Sequence, residues 1–263
     1  MSKKFGIIGF GHLGKAFAHA LLNLDISKED IVICARSIQT LSLAEKEFGL
    51  TATDKIHNVI DLCDNLIISL KRDTFIELPP IKVEGKNVIS LMAGVRISEL
   101  NEKLYGAKEV FRVMPTLSIS RGDGIIGYTH TKNAEWIDLF SGMGYAFETE
   151  ESDIEKVTAY SACGLGFAAY LIHSMISAGI ALGFDEKTSK EIAESNFRTA
   201  MSFSDYSKTI SEVATKGGVT EAGIQYMNDN HVNEHILQSV KQAYRKATKN
   251  QGGHNEQITE YLR

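Results

Sequence analysis

Gly9-Phe10-Gly11-His12-Leu13-Gly14 spells G-x-G-x-x-G, a spacing that lets backbone N–H groups cradle a pyrophosphate. The first glycine permits a tight turn, the second lets a phosphate approach the backbone, and the third lets helix and strand pack closely. All six residues are candidate cofactor contacts. Arg36-Ser37 stands where a fold selective for NAD would carry an acid for the ribose 2′-hydroxyl, so these residues favour the 2′-phosphate of NADPH over NADH. A solvated loop arginine is the alternative reading of Arg36.

Two other groups invite chemistry and are set aside. His231-Val232-Asn233-Glu234-His235 reads H-x-x-E-H, the spacing of some zinc proteases, but a third ligand would be needed and only a short polar tail follows, so no metal is expected. Cys163 near a helix start could be a nucleophile. A small side chain standing in for serine is the preferred reading. With Cys34 and Cys63 it makes three widely spaced cysteines and no C-x-x-C pair, as expected of reduced thiols.

The elements that must hold these residues follow from pattern. Phe5-Gly6-Ile7-Ile8 reads as a buried strand before the glycine turn, and Lys15-Ala16-Phe17-Ala18 continues a helix after it. Ile31-Val32-Ile33-Cys34 completes a βαβ unit, and further strands are expected at 65–70, 87–91, 109–113, 124–128 and 145–147. Alternation of this kind predicts an α/β, Rossmann-like, mainly parallel doubly wound sheet. Its ligand belongs at the strand C-terminal ends, where Arg36, Lys71, Ala93-Gly94 and Met114-Pro115 fall. The strand pattern then stops, and an acidic segment leads into helices. The expected organisation is a dinucleotide-binding domain over 1–150 and an all-α dimerisation and substrate domain over 151–263.

Val157 to Phe184 contains no Asp, Glu, Lys or Arg. Its serines, His173 and four glycines argue against a membrane span, and a helix apolar on all sides must be covered on all sides. Homodimerisation is the expected cover, with an assembly of dimers left open. Later helices are expected at 186–204, 221–228 and 233–247, and a polar tail at 249–263. The net charge of −5 and the absence of a dense basic run exclude a nucleic-acid partner. The first strand begins almost at once with no charged-then-apolar leader, so a cytoplasmic location is expected.

Over nearly its whole length the chain resembles pyrroline-5-carboxylate reductase. Gly9 to Ala16 resemble that family's G-x-G-x-M-G-x-A, Leu70-Lys71 its V-K-P, and Ile89 to Val95 its I-S-x-x-A-G-V. Arg112-Val113-Met114-Pro115 resemble R-x-M-P-N-T-P, and Gly217-Gly218-Val219-Thr220 with Ala222-Gly223 resemble S-P-G-G-T-T-x-A-G. The resemblance implies NADPH-dependent reduction of 1-pyrroline-5-carboxylate to L-proline, with Lys71, Ala93, Gly94 and Pro115 beside the cofactor. It also implies a substrate carboxylate held at the turn of Thr215, Gly218, Val219 and Thr220, the Thr220 hydroxyl serving the ring nitrogen. Thr220 could equally be a helix cap, and Lys216 a solvated lysine.

The departures are Arg72, Ser118, Leu165 and Lys216, each where the family has proline, together with Thr116-Leu117-Ser118 for Asn-Thr-Pro and Ser161 to Phe167 for S-G-S-G-P-A-Y. They cluster on the nicotinamide and substrate side, whereas the phosphate-binding end is intact. Two alternatives therefore stay open: a reductase of another cyclic imine or related small acid, and a non-catalytic NADP-binding relative.

Overall fold

The protein was analysed as a computed structural model that describes residues 4–249; the expected tail lies largely outside the described residues. These residues divide into two compact units, 4–162 with 244–249 and 163–243. The division falls later than the change in composition near residue 150.

In the first unit the strands are β1 (Phe5–Ile8), β2 (Ile31–Cys34), β3 (Thr51–Thr53), β4 (Asn65–Ile68), β5 (Ile81–Lys82), β6 (Asn87–Ser90), β7 (Leu104–Tyr105), β8 (Glu109–Pro115), β9 (Gly124–Tyr128) and β10 (Gly144–Glu148). Eight of them form one sheet in the order β10-β9-β8-β6-β4-β1-β2-β3, and β5 and β7 pair separately. Every pairing in the large sheet is parallel except β8 with β9. Phe5 lies beside Ile31 on one side and Asn65 on the other, so β1 is central and the chain departs from it in both directions.

Both faces of the sheet are covered, which is why its strands read as unbroken apolar runs. Helices α1 (His12–Asn23) and α2 (Ile38–Phe48) cover one face, and α3 (Ile56–Leu62), α4 (Arg72–Glu77) and α5 (Ile97–Lys103) the other. Ile7, Ile33, Ile67 and Ile89 point to the first face with Phe17 and Leu21 of α1. Ile8, Val32, Leu66 and Ile68 point to the second with Val59 and Phe75. Helix α6 (Ala134–Gly142) adds Trp136 and Phe140 to the first face, where Trp136 meets Phe5 and Phe111 nearly edge-on. Full burial of side chains of this size contributes roughly 1.5–3 kcal/mol each.

The charge-free stretch is not the single helix expected from 157 to 184. Helix α7 (Ile154–Val157) ends in a π-turn at Thr158–Ala162, and α8 (Gly164–Ala181) begins after Cys163. A π-turn inserts an extra residue into the hydrogen-bond ladder, and Gly164 and Gly166 weaken helix propagation just beyond it. By length and composition the run Glu151–Ala181, which contains an 18-residue window of mean hydropathy 1.5, could cross a membrane.

The second unit contains α8, α9 (Glu186–Met201), α10 (Tyr206–Val213) and α11 (Val219–Asp229), and α12 (Val232–Lys249) has residues in both units. Asp185 and Asp205 cap α9 and α10 by accepting N–H bonds from Thr188 and Lys208 at 2.9 Å. No residue of α8, α10 or α11 is buried. Tyr170, Met175, Ile180, Ile210 and Tyr226 are all exposed, a spread of large apolar side chains that a solvated surface does not ordinarily carry.

Candidate functional site

The glycine turn joins β1 to α1 at the centre of the sheet, and each glycine has its own physical reason. Gly9 has φ +101°, and a β-carbon there would lie 2.4 Å from the Ser69 carbonyl oxygen. At Gly14 a β-carbon would lie 2.2 Å from the Gly9 carbonyl oxygen, so helix and strand could not approach as they do. Gly11 is different. Its φ of −78° suits any residue, and a β-carbon would meet nothing within 4 Å. Nothing in the described fold requires glycine at this position.

Gly11 caps α1, and its carbonyl accepts the first intrahelical bond, from Lys15 at 3.0 Å. The N–H groups of His12, Leu13 and Gly14 precede that bond and have no intrahelical acceptor, which concentrates positive potential there. A cleft of ≈ 570 Å³ opens at this point, walled by Gly9, Phe10, Gly11, Arg36, Ser37, Thr40, Asp54, Lys71 and Thr74 among others. Phe10 is buried edge-on against Phe48 at 5.2 Å, so its place in the turn is structural as well.

Ser37 caps α2, its hydroxyl accepting the Thr40 N–H at 3.2 Å and contacting the Thr40 hydroxyl at 2.8 Å. Arg36 is exposed immediately before this cap. A guanidinium, two hydroxyls and a helix N-terminus make one end of the cleft receptive to a phosphate. Asp54 and Cys34 line the same cleft, and sequence reasoning missed both. Asp54 follows β3, a three-residue strand too short and too exposed to announce itself by periodicity. Burial, aided by the Asp54 charge, pushes the Cys34 thiol up to about 11, so it stays protonated at neutral pH. Burial likewise raises Cys163, away from the activated state a nucleophile needs.

Lys71 lines the cleft at the start of α4. Ala93, Gly94 and Pro115 are not among its walls: the first two leave β6, and Pro115 ends β8 opposite Ile126. The loop after β6 is held instead by a buried ion pair. Arg112 Nη2 lies 2.6 Å from Glu155 Oε1, both side chains almost wholly buried, and the same oxygen accepts the Gly94 N–H at 3.2 Å. Glu151 accepts the Ile97 N–H at 2.6 Å. The acidic segment that leads into the helices thus closes onto the loop.

In the second unit the turn before α11 corrects two expectations. Thr220 is not the helix cap: Gly218 is, and no side chain caps this helix. The Gly218 N–H is already engaged, donating to the Thr215 carbonyl at 2.8 Å, which leaves Val219, Thr220 and Glu221 as the free donors of the first turn. Gly217 has φ +75° and donates to the Glu221 carboxylate at 2.6 Å, a residue the sequence did not single out. Lys216 is exposed beside it. His231 precedes α12 with φ 52° and lies 3.6 Å from Glu234, so it stands outside the helix that carries His235.

The fold and cleft define a dinucleotide-binding α/β unit followed by a helical unit. A family model described as NADP oxidoreductase, coenzyme F420-dependent, matches residues 4–94, and one described as pyrroline-5-carboxylate reductase dimerisation matches residues 151–250. The chain's helical unit is thus similar to the dimerisation region of pyrroline-5-carboxylate reductases and its first unit to NADP oxidoreductases. The chain is 25% identical over 261 residues to a pyrroline-5-carboxylate reductase of Aquifex aeolicus, covering 95% of this chain and 98% of the relative. A Staphylococcus saprophyticus enzyme of the same name is 26% identical, with 90% and 92% covered. Among solved structures, Plasmodium falciparum pyrroline carboxylate reductase with NADP bound matches with a TM-score of 0.83 at 23% identity, covering 95% of this chain and 99% of that one. A reductive aminase from Aspergillus terreus in complex with NADPH matches less closely, at 0.60 and 16%, with both chains covered in full.

Proposed function

We propose that this chain is an NADPH-dependent oxidoreductase acting on a C=N bond, and that it reduces 1-pyrroline-5-carboxylate to L-proline. The observation that carries the reading is Gly11, whose missing side chain the fold does not require and a pyrophosphate does. Gly9 to Gly14 would hold the pyrophosphate, and Arg36 with the Ser37–Thr40 cap the 2′-phosphate. The bound dihydronicotinamide would supply the hydride. The chain's own work is then positional: it fixes the cofactor, anchors a carboxylate on the free N–H groups of Val219 and Thr220, and offers the Thr220 hydroxyl to the substrate nitrogen. The exposed apolar surface of α8, α10 and α11 fits a soluble, cytoplasmic homodimer rather than a membrane span, with the second copy as the cover.

Following NADPH oxidation with pyrroline and piperideine carboxylates tests the reading. The expected result is turnover with 1-pyrroline-5-carboxylate as the best substrate. NADPH binding without turnover on any imine would replace it with a non-catalytic relative. The second reading, another cyclic imine, is favoured by Thr116. It stands where the family carries asparagine, and its hydroxyl is engaged by Ser118 at 2.7 Å and by the Ile125 N–H at 3.0 Å, so it is turned into its own loop.

Arg36→Ala should weaken NADPH binding about tenfold, the scale of one hydrogen bond to a charged group, and leave NADH binding unchanged. Equal wild-type affinities for the two cofactors would contradict the assignment. Because Thr220 is not a cap, Thr220→Ala should leave the melting temperature within about 2 °C while lowering turnover roughly ten- to hundred-fold. Thr220→Ser should keep most of the activity. Wild-type turnover in Thr220→Ala would remove this residue from the site.

A further inference from the structure

Arg72 stands at the first position of α4, where the family pattern has proline. Its side chain is not spread into solvent. Nε donates to the Gly94 carbonyl at 2.9 Å, and Nη2 lies 3.3 Å from the Glu99 carboxylate. Gly94 has φ +73° and its N–H is held by Glu155, so its flanking peptide groups are tied on one side by Arg72 and on the other by the Arg112–Glu155 pair. Two loops 22 residues apart, those leaving β4 and β6, are thereby fixed to each other.

The sheet order says which part of a dinucleotide would meet these loops. The end of the cleft that holds Arg36 and Asp54 lies over β2 and β3, on one side of the β1 turn, and Leu70, Lys71, Thr74 and Leu78 close the cleft from the β4 side. A dinucleotide whose pyrophosphate sits at that turn must extend its second nucleotide to the other side, over β4 and β6. We propose that Arg72 is a positioning residue for the nicotinamide half of the cofactor, an inference that rests on the cofactor reading above. A proline at this position would stiffen one loop by fixing its own φ. Arg72 achieves the stiffening differently, by tying that loop to the next, and so sets the Gly94 peptide against which the nicotinamide nucleotide packs.

The proline itself is the informative substitution. Lys71 has φ −70° and ψ 145°, a conformation that accepts a following proline, and Pro is well tolerated at a first helical position. Arg72→Pro therefore keeps the backbone and removes the tie, as Arg72→Ala does. Amide exchange in the free protein reads the tie directly: exchange across 94–97 should accelerate about tenfold in both variants and less in Arg72→Lys, which retains one donor. Binding then separates the two halves of the site. Affinity for NADPH should fall about tenfold, whereas affinity for adenosine 2′,5′-bisphosphate, which occupies only the Arg36 end, should change less than about twofold. Unchanged exchange, a parallel loss for both ligands, or wild-type NADPH binding by Arg72→Pro would each overturn the proposal. A wild-type protein that binds neither ligand would overturn the cofactor reading itself, and faster exchange in the variants would then give the tie a purely structural role.

Discussion

Glu155→Ala should lower the melting temperature by about 10 °C, the largest loss of stability expected from any single polar substitution in this chain. Removing one partner of a buried ion pair costs roughly 3–5 kcal/mol, because the other charge is left in a place water cannot reach, here with only the Glu151 carboxylate 3.9 Å from Arg112 Nη1 to offset it. Arg112 is 0% exposed and Glu155 1%, so neither can recover its hydration by a small rearrangement. Each kcal/mol moves the midpoint by roughly 2–4 °C in a unit of this size. The Gly94 N–H loses its acceptor in the same stroke, which adds an unsatisfied buried donor. Replacing both partners by apolar residues, as in Arg112→Met with Glu155→Leu, should recover much of the loss, since no charge is then left unpaired. Cofactor binding should not recover with it, because the Gly94 N–H stays without its acceptor and only the Arg72 side of the loop remains tied. Thermal unfolding of the two variants checks the first statement, and NADPH titration of the double variant the second. A single variant that melts with the wild type would mean that the pair is not closed in solution.

The same pair shows where sequence reading ran out. Arg112 was visible as part of a motif and Glu155 as part of an acidic segment, but they lie 43 residues apart and only the folded sheet brings them to 2.6 Å. Strands buried on both faces were legible, because a run such as Ile31-Val32-Ile33-Cys34 has one physical explanation in a soluble α/β fold. Strand β3 was not, since Thr51-Ala52-Thr53 is short and half-exposed, and with it went Asp54 on the wall of the cleft. The interruption of the charge-free stretch at Thr158–Ala162 was also hidden. A π-turn changes the hydrogen-bond ladder without changing apolarity, and apolarity is what the pattern measures. At Thr220 the residue type pointed both to a cap and to a substrate contact. The backbone removes the cap reading, since the chain enters the helix two residues earlier, at Gly218.

Gly11→Asp should raise stability slightly and abolish cofactor binding, and the opposition of these two effects is what makes the substitution decisive. Aspartate is among the best helix caps, and Gly11 is the cap of α1 with no side-chain bond to the helix. A carboxylate there can accept an orphan N–H of the first turn, a gain of a few tenths of a kcal/mol over glycine. Nothing within 4 Å opposes its β-carbon, and φ −78° with ψ −163° asks for no special residue. The fold therefore loses nothing. The ligand loses twice: the carboxylate takes the N–H groups that would bind the pyrophosphate, and it sets a like charge beside it. Two unit charges 4 Å apart at the edge of a protein repel by about 4 kcal/mol, close to a thousandfold in affinity. NADPH titration and thermal unfolding of Gly11→Asp read both arms. Gly11→Ala, which adds bulk without charge, should fall between wild type and Gly11→Asp in affinity while melting about 2 °C below the wild type, since alanine is a poorer cap than glycine. NADPH affinity surviving in Gly11→Asp would place the pyrophosphate elsewhere, and the reading of this cleft as a dinucleotide site would fall with it.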